Sequence, residues 1–275
     1  MKIELAKQHG FCFGVKRAIK IAEEYQNSYT FGPLIHNNLE IERLKKSFNV
    51  GLKENIKNFS TGDKLIIRTH GIEKNNLQYL KDNEIEYVDA TCPFVTKPQE
   101  IVRDMSRNGY EIVIFGDSSH PEIKGVMSYS DSKTHVILSC KELENIELSN
   151  KIALVAQTTR KFSSFLNIAS YLIGRVKEVR VFNTICNATF ENQISAKELS
   201  QKADIMIIIG GKNSSNTKQL VAICREECQT CFHIESEKEL EESWFKNKKL
   251  CGITAGASTP DWIIEKVYTE IEKLK

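Results

Sequence analysis

The sequence predicts an α/β protein built from three small αβ modules with mostly parallel sheets. Three observations predict it. Apolar runs rich in Ile and Val recur, each stopped by Gly, Thr, Ser or Asn and followed by a helix-period segment, the alternation expected of a parallel sheet buried between helices. Three cysteines, Cys12, Cys92 and Cys186, each stand where an apolar strand ends and a helix begins. They lie 80 and 94 residues apart, consistent with one small module per cysteine.

Taken in order, KIELA is a short strand leading to Cys12 in GFCFGVKRAIKIAEE, which continues as a helical pattern. SYTFGPLIHN, the weak run FNVGL and KLIIRTHG follow as strands, the first and last ending in polar loops. Tyr87 and Val88 close the next run, and Pro93 opens the helix behind Cys92 in DATCPFVTKPQE, a position where its missing N–H is not needed. A second round repeats the order with EIVIFGDSSHPE, THVILS and KIALVAQTT. VRVF leads to Cys186 in NTICNATFENQISAKELS, and the third round reads DIMIIIGGKNSSN, CFHIES and LCGITAGAS. The repetition is one of architecture, since the rounds share no strong residue identity. Modules are expected at residues 1–92, 93–186 and 187–275, and the strand in residues 1–11 could instead pack on the third. The charged stretch ESEKELEESWFKNKK reads as a solvated helix.

Composition narrows the function class. At 275 residues, 41% hydrophobic and 27% charged, the chain has core enough for two or three small domains. Its 38 basic and 36 acidic residues are mixed throughout for a net charge of +2, so nothing argues for nucleic acid as a partner. No secretory leader pattern and no apolar run of spanning length is present, which leads us to expect a cytoplasmic protein without a membrane partner. There, eight cysteines read as metal ligands, catalytic groups or buried thiols rather than disulfides. Cys224 and Cys228 share a helical stripe with Leu220 and Val221, and Cys231 opens a weak strand; with Cys140 and Cys251 they read as core packing. His9, His135 and His233 read as ordinary hydrogen-bonded or exposed histidines.

In open α/β sheets, ligands bind beyond the carboxyl ends of the strands. The residues there share a chemistry. His36, His70, His120 with Glu122, Thr158, the trio Ser214, Ser215 and Asn216, and Ser258 all follow apolar runs. A thiol at a helix start faces unpaired N–H groups and the positive end of the helix dipole, which favours thiolate. Three such thiolates suit a [4Fe–4S] cluster with one iron left open to a substrate oxygen, since four cysteines would close it. Ser-Ser-Asn at a helix start is a ready anion site, and histidines with Ser258 could complete a cage for a phosphate or diphosphate. No Walker A pattern is present.

The motifs GFCFGVKRAI, GPLIHN, THG, DATCPFVTK, SHPE, QTT, NTICNAT, GGKNSSNT and TAGAS occur in this order over nearly the whole length. Together they resemble the 4-hydroxy-3-methylbut-2-enyl diphosphate reductase family (IspH/LytB). The resemblance implies pseudo-threefold modules around a central, oxygen-sensitive [4Fe–4S] cluster on Cys12, Cys92 and Cys186. It implies an iron–sulfur oxidoreductase carrying out reductive dehydroxylation of the allylic diphosphate to isopentenyl and dimethylallyl diphosphates, the last step of the non-mevalonate isoprenoid route, with electrons from ferredoxin or flavodoxin. His36, His70, His120, Ser214, Ser215, Asn216 and Ser258 would hold the diphosphate, Thr158 would line the pocket, and Glu122 would deliver protons. Glu122 is also the carboxylate of the polar-loop set, which by itself makes it the candidate general acid. Phe13 stands where the family often has a small residue, and this removes no ligand or donor. Two other classes compete: a non-catalytic iron–sulfur sensor, and a zinc or thiol enzyme with Cys92 as nucleophile. The sensor would need no diphosphate cage, and neither a recognition helix nor an appended binding module is evident.

Overall fold

The computed structural model describes residues 1–274. β1 (Lys2–Leu5) leads to Cys12 and α1 (Phe13–Glu24). β2 (Ser28–Phe31), α2 (Asn38–Phe48), β3 (Val50–Lys53), β4 (Lys64–Ile67), α3 (Lys74–Asp82) and β5 (Glu86–Asp89) follow. Cys92 then opens α4 (Pro93–Arg107), succeeded by β6 (Glu111–Phe115), α5 (Pro121–Met127), β7 (Thr134–Ile137), β8 (Lys151–Ala156), α6 (Phe162–Ile173) and β9 (Glu178–Val181). Beyond Cys186 lie α7 (Asn187–Ser200), β10 (Ile205–Ile209), α8 (Ser215–Glu227), β11 (Cys231–Ile234), β12 (Leu250–Ala255) and α9 (Asp261–Leu274).

The strands form three four-stranded sheets, and every pairing among the described residues is parallel. Written the same way round, they run β3-β2-β4-β5, β7-β6-β8-β9 and β11-β10-β12-β1. The order is identical each time, and the fourth strand is always the one that leads into a cysteine. Thus KIELA joins the third sheet, with Leu5 in register with Ile253 of β12. The three-module α/β fold predicted from the sequence is the fold observed.

By packing, the chain divides into two compact units. One comprises Met1–Lys16, Ile35–Arg43 and Asn187 onward and contains the β11-β10-β12-β1 sheet. The other comprises Arg17–Leu34 and Leu44–Cys186 and contains the remaining two sheets.

The central strands EIVIF and IMIII are fully buried because both faces are covered, as parallel sheets require. On β6, Val113 and Phe115 face α6 through Phe165, Ile168 and Leu172, while Ile112 and Ile114 face α4 and α5 through Val102, Ile123 and Val126. On β10, Ile205, Ile207 and Ile209 pack with Ile263, Ile264 and Val267 of α9, and Met206 and Ile208 with Leu199 of α7 and Leu220 of α8. Each such side chain contributes about 1.5–3 kcal/mol when fully buried, so these central strands fix the strand ends from which the polar loops project.

One expectation is corrected. ESEKELEESWFKNKK is not a solvated helix but two 3₁₀ turns, Glu237–Glu239 and Glu242–Phe245, separated by extended residues. Its aromatic residues outweigh its charges: Phe245 is buried in the sheet core and Trp244 stacks on Phe232 of β11 at 3.8 Å. A helix with its charged face in water would forfeit that burial.

Candidate functional site

The three cysteines singled out in the sequence share one local device. Cys92 is the N-cap of α4 in extended conformation, and Cys12 and Cys186 directly precede α1 and α7. The Cys12 N–H donates to the carbonyl of Ala257 at 3.2 Å, that of Cys92 to Thr69 at 3.1 Å and that of Cys186 to Thr158 at 3.0 Å. Each acceptor lies two residues beyond the end of the neighbouring strand, β12, β4 or β8. Two residues before each cysteine a second bond reaches the last residue of that same strand. Gly10 and Ala90 donate their N–H to Ala255 and Ile67 at 3.1 and 3.0 Å. At the third position the Thr184 hydroxyl substitutes, donating to the Ala156 carbonyl at 2.6 Å and accepting its N–H at 2.8 Å. Each thiol is therefore presented by a loop pinned to the adjacent strand end, and none of the three is buried.

The other cysteines differ. Cys224, Cys228 and Cys251 are buried, and burial pushes the thiols of Cys224 and Cys251 up to about 12. Burial and the adjacent Cys228 do the same to Cys231, also to about 12. Such thiols stay protonated at neutral pH, so they match the core-packing reading. Phe13, beside Cys12, is 65% exposed.

The remaining site candidates fall into two sets, one in each unit. In the two-sheet unit, the rings of His70 and His120 meet edge to face with centroids 5.4 Å apart. His120 caps α5, its Nδ1 accepting the Glu122 N–H at 3.2 Å. With Nδ1 accepting, the proton of a neutral ring sits on Nε2. The His70 loop closes through Gly71, whose φ of +78° suits glycine, and a Cβ there would fall 2.7 Å from the Gln99 amide nitrogen.

Glu122 is 2% exposed and faces Thr158 squarely. The Thr158 N–H donates to Oε1 and its hydroxyl to Oε2, both at 2.8 Å. Burial raises the Glu122 pKa, the two Thr158 bonds and the Arg160 charge pulling back in part. Thr158 thus links the two residues, its carbonyl accepting the Cys186 N–H and its own N–H and hydroxyl donating to Glu122.

In the other unit, Ser214 is the N-cap of α8, its Oγ accepting the Thr217 N–H at 3.3 Å, and Ser215 is the first helical residue. Asn216 is buried, and neither its Nδ2 nor its Oδ1 has a hydrogen-bond partner among the described residues. Its carboxamide is a donor and acceptor pair that a polar ligand can complete. The Ser258 hydroxyl donates to the His36 carbonyl at 3.2 Å, and Gly211 lies against the same carbonyl so closely that a Cβ there would fall 2.3 Å from its oxygen. Asn37 caps α2 through Glu40, which is gripped in turn by Arg43 and by the Trp262 indole at 2.9 Å.

Sequence reading missed Thr184 and Arg17. Aligning the rounds by cysteine places Thr184 opposite Gly10 and Ala90, but not its hydroxyl on a strand end. Arg17, on the second turn of α1, donates to main-chain carbonyls ahead of Cys92, a long-range bond with no sequence signal.

A protein-family model described as LytB protein matches residues 3–272. The chain belongs to the LytB protein family. Among LytB relatives, the 4-hydroxy-3-methylbut-2-enyl diphosphate reductase of Sulfurimonas denitrificans is 64% identical over 99% of both chains. That of Campylobacter jejuni is 60% identical over 100% of this chain and 99% of its own. A solved structure of (E)-4-hydroxy-3-methyl-but-2-enyl diphosphate reductase, described as the terminal enzyme of the non-mevalonate pathway, is 41% identical with a TM-score of 0.73, covering 99% of this chain and 100% of that one. The Plasmodium falciparum E-1-hydroxy-2-methyl-but-2-enyl-4-diphosphate reductase is 26% identical with a TM-score of 0.92, covering 97% and 86%. These LytB relatives are enzymes, not sensor proteins, and this chain is an oxidoreductase of their kind. No described helix is long and apolar enough to cross a membrane.

Proposed function

We propose that the chain reduces 4-hydroxy-3-methylbut-2-enyl diphosphate to isopentenyl and dimethylallyl diphosphates, the terminal step of the non-mevalonate route. Its cofactor is a [4Fe–4S] cluster held by Cys12, Cys92 and Cys186 with one iron open, and it works in the cytoplasm with ferredoxin or flavodoxin as electron donor. The domains are residues 1–92, 93–186 and 187–275, with the strand in residues 1–11 assigned to the third because β1 pairs with β12. The observation that carries this reading is the tether found at these three cysteines. A loop pinned at two points holds a thiol still without burying it, as a cluster ligand requires, whereas the remaining cysteines lack that setting.

When bound, such a cluster supplies single electrons and a Lewis-acidic iron. The chain's own residues bind, orient and protonate. The Nε2–H of His120, with His36, His70, Ser214, Ser215, Asn216 and Ser258, holds the diphosphate. Asn216 is the telling member, since a buried, unpartnered carboxamide costs about 1–3 kcal/mol per group until a ligand completes it. Glu122, whose burial favours the protonated carboxyl, delivers a proton from that carboxyl to the departing hydroxyl, which leaves as water. A second proton closes the reaction on carbon, so two electrons and two protons balance the loss of water.

Anaerobic protein with a chemically reduced dye should turn over the allylic diphosphate. The same substrate lacking its diphosphate should bind at least about a thousandfold more weakly, because several charge-assisted bonds are lost. Equal affinity would eliminate the diphosphate cage. Cluster-loaded protein inert toward the diphosphate would eliminate the activity.

A further inference from the structure

The loop that presents Cys92 is fastened by a charged side chain, Arg17. From Asp89 to Cys92 its main-chain N–H groups bond within the loop or to its neighbouring strand. Ala90 donates to Ile67 at 3.0 Å, Thr91 to the Asp89 carboxylate at 2.8 Å and Cys92 to Thr69 at 3.1 Å. Two of its carbonyls are satisfied from elsewhere. Arg17 Nη2 donates to the Asp89 carbonyl at 3.2 Å and Nη1 to the Thr91 carbonyl at 3.1 Å. A rigid guanidinium fork on two carbonyls two residues apart fixes the Asp89–Ala90 and Thr91–Cys92 peptide planes, the second of them immediately ahead of the thiol. The residues equivalent to Arg17 after the other two cysteines are Lys97, paired with Glu100 at 3.7 Å, and Glu191, so the fork does not recur.

We propose that Arg17 is a positioning residue for Cys92, holding the loop in the one geometry that offers its thiolate to the cluster. The inference rests on Cys92 being a cluster ligand. It assigns Arg17 no contact with substrate. Lysine keeps the charge but cannot span both carbonyls, so geometry and charge separate by substitution.

The test uses the full-length chain as Arg17→Gln and Arg17→Lys, with Leu172→Ala, a core deletion in α6, as the control for general destabilisation. Amide hydrogen exchange on the apo-protein should speed up about tenfold for the peptide covering residues 89–92 in both Arg17 variants. The peptide covering 184–187 should keep its wild-type rate. After anaerobic reconstitution, both variants should also release iron to a chelator faster than wild type. Wild-type exchange in both variants overturns the proposal, as does uniform acceleration of the kind Leu172→Ala produces. Iron and sulfide retained in full by Cys92→Ser would instead overturn the ligand assignment, whatever the exchange rates at residues 89–92.

Discussion

Glu122→Gln is expected to load its cluster normally and to turn over about 10²–10⁴-fold more slowly, the range over which a positioned general acid acts. Gln has the same shape, so packing in the fully enclosed site is kept. Its amide oxygen can still accept the Thr158 N–H, and the Thr158 hydroxyl can rotate to accept from the amide nitrogen. What disappears is the transferable proton. Because burial raises the carboxyl pKa, wild-type kcat should be highest where Glu122 is protonated and fall as pH rises through that raised value. The Gln variant should lack this limb. Stability carries the same sign: the folded state holds the proton more tightly than the unfolded chain, so wild type loses stability as pH rises from the ordinary Glu value, about 4.3, to the raised one. Thermal melts of Glu122→Gln against wild type across that window check it. An undiminished kcat in the Gln protein removes Glu122 from the chemistry.

Gly211→Ala is expected to raise KM for the diphosphate about a hundredfold and to lower stability as well. A Cβ at this position would sit 2.3 Å from the His36 carbonyl oxygen and 3.2 Å from its carbon. Both are main-chain atoms that cannot step aside by changing rotamer. The His36 segment must shift, taking with it the carbonyl that anchors Ser258 and the start of α2. Overpacking of this kind costs about 1–3 kcal/mol of stability, and a displacement near 1 Å in a positioning group can cost about 10²-fold in rate. Steady-state kinetics with a melt of the same sample separate the effects. An unchanged KM would mean that His36 and Ser258 do not hold the substrate.

Much of this was legible in the sequence for a physical reason. Strands such as IMIII and KIALVA are buried on both faces, so they are written as uninterrupted apolar runs, and the polar residues after them stand out. Cysteines at strand-to-helix junctions are visible by the same contrast. The 3₁₀ turns at 237–245 were not legible, because the burial of Phe245 and the stacking of Trp244 on Phe232 exist only in the folded sheet, while the charges around them suggest a helix. Arg17 and Thr184 were hidden likewise. Their work is done on main-chain carbonyls across loops, which leave no mark in residue type or spacing. The carboxyl of Glu122 could be nominated by elimination, but its twofold grip by Thr158 belongs to the folded chain alone.

The central claim is best tested by iron and acid-labile sulfide analysis of anaerobically purified protein, wild type beside Cys12→Ser, Cys92→Ser, Cys186→Ser and the control Cys140→Ser. The account predicts about four irons and four sulfides per chain in wild type and in Cys140→Ser, with a brown colour that bleaches in air, and depleted, unstable iron in each of the other three. A colourless wild type, or an intact cluster in all three of those variants, would contradict it.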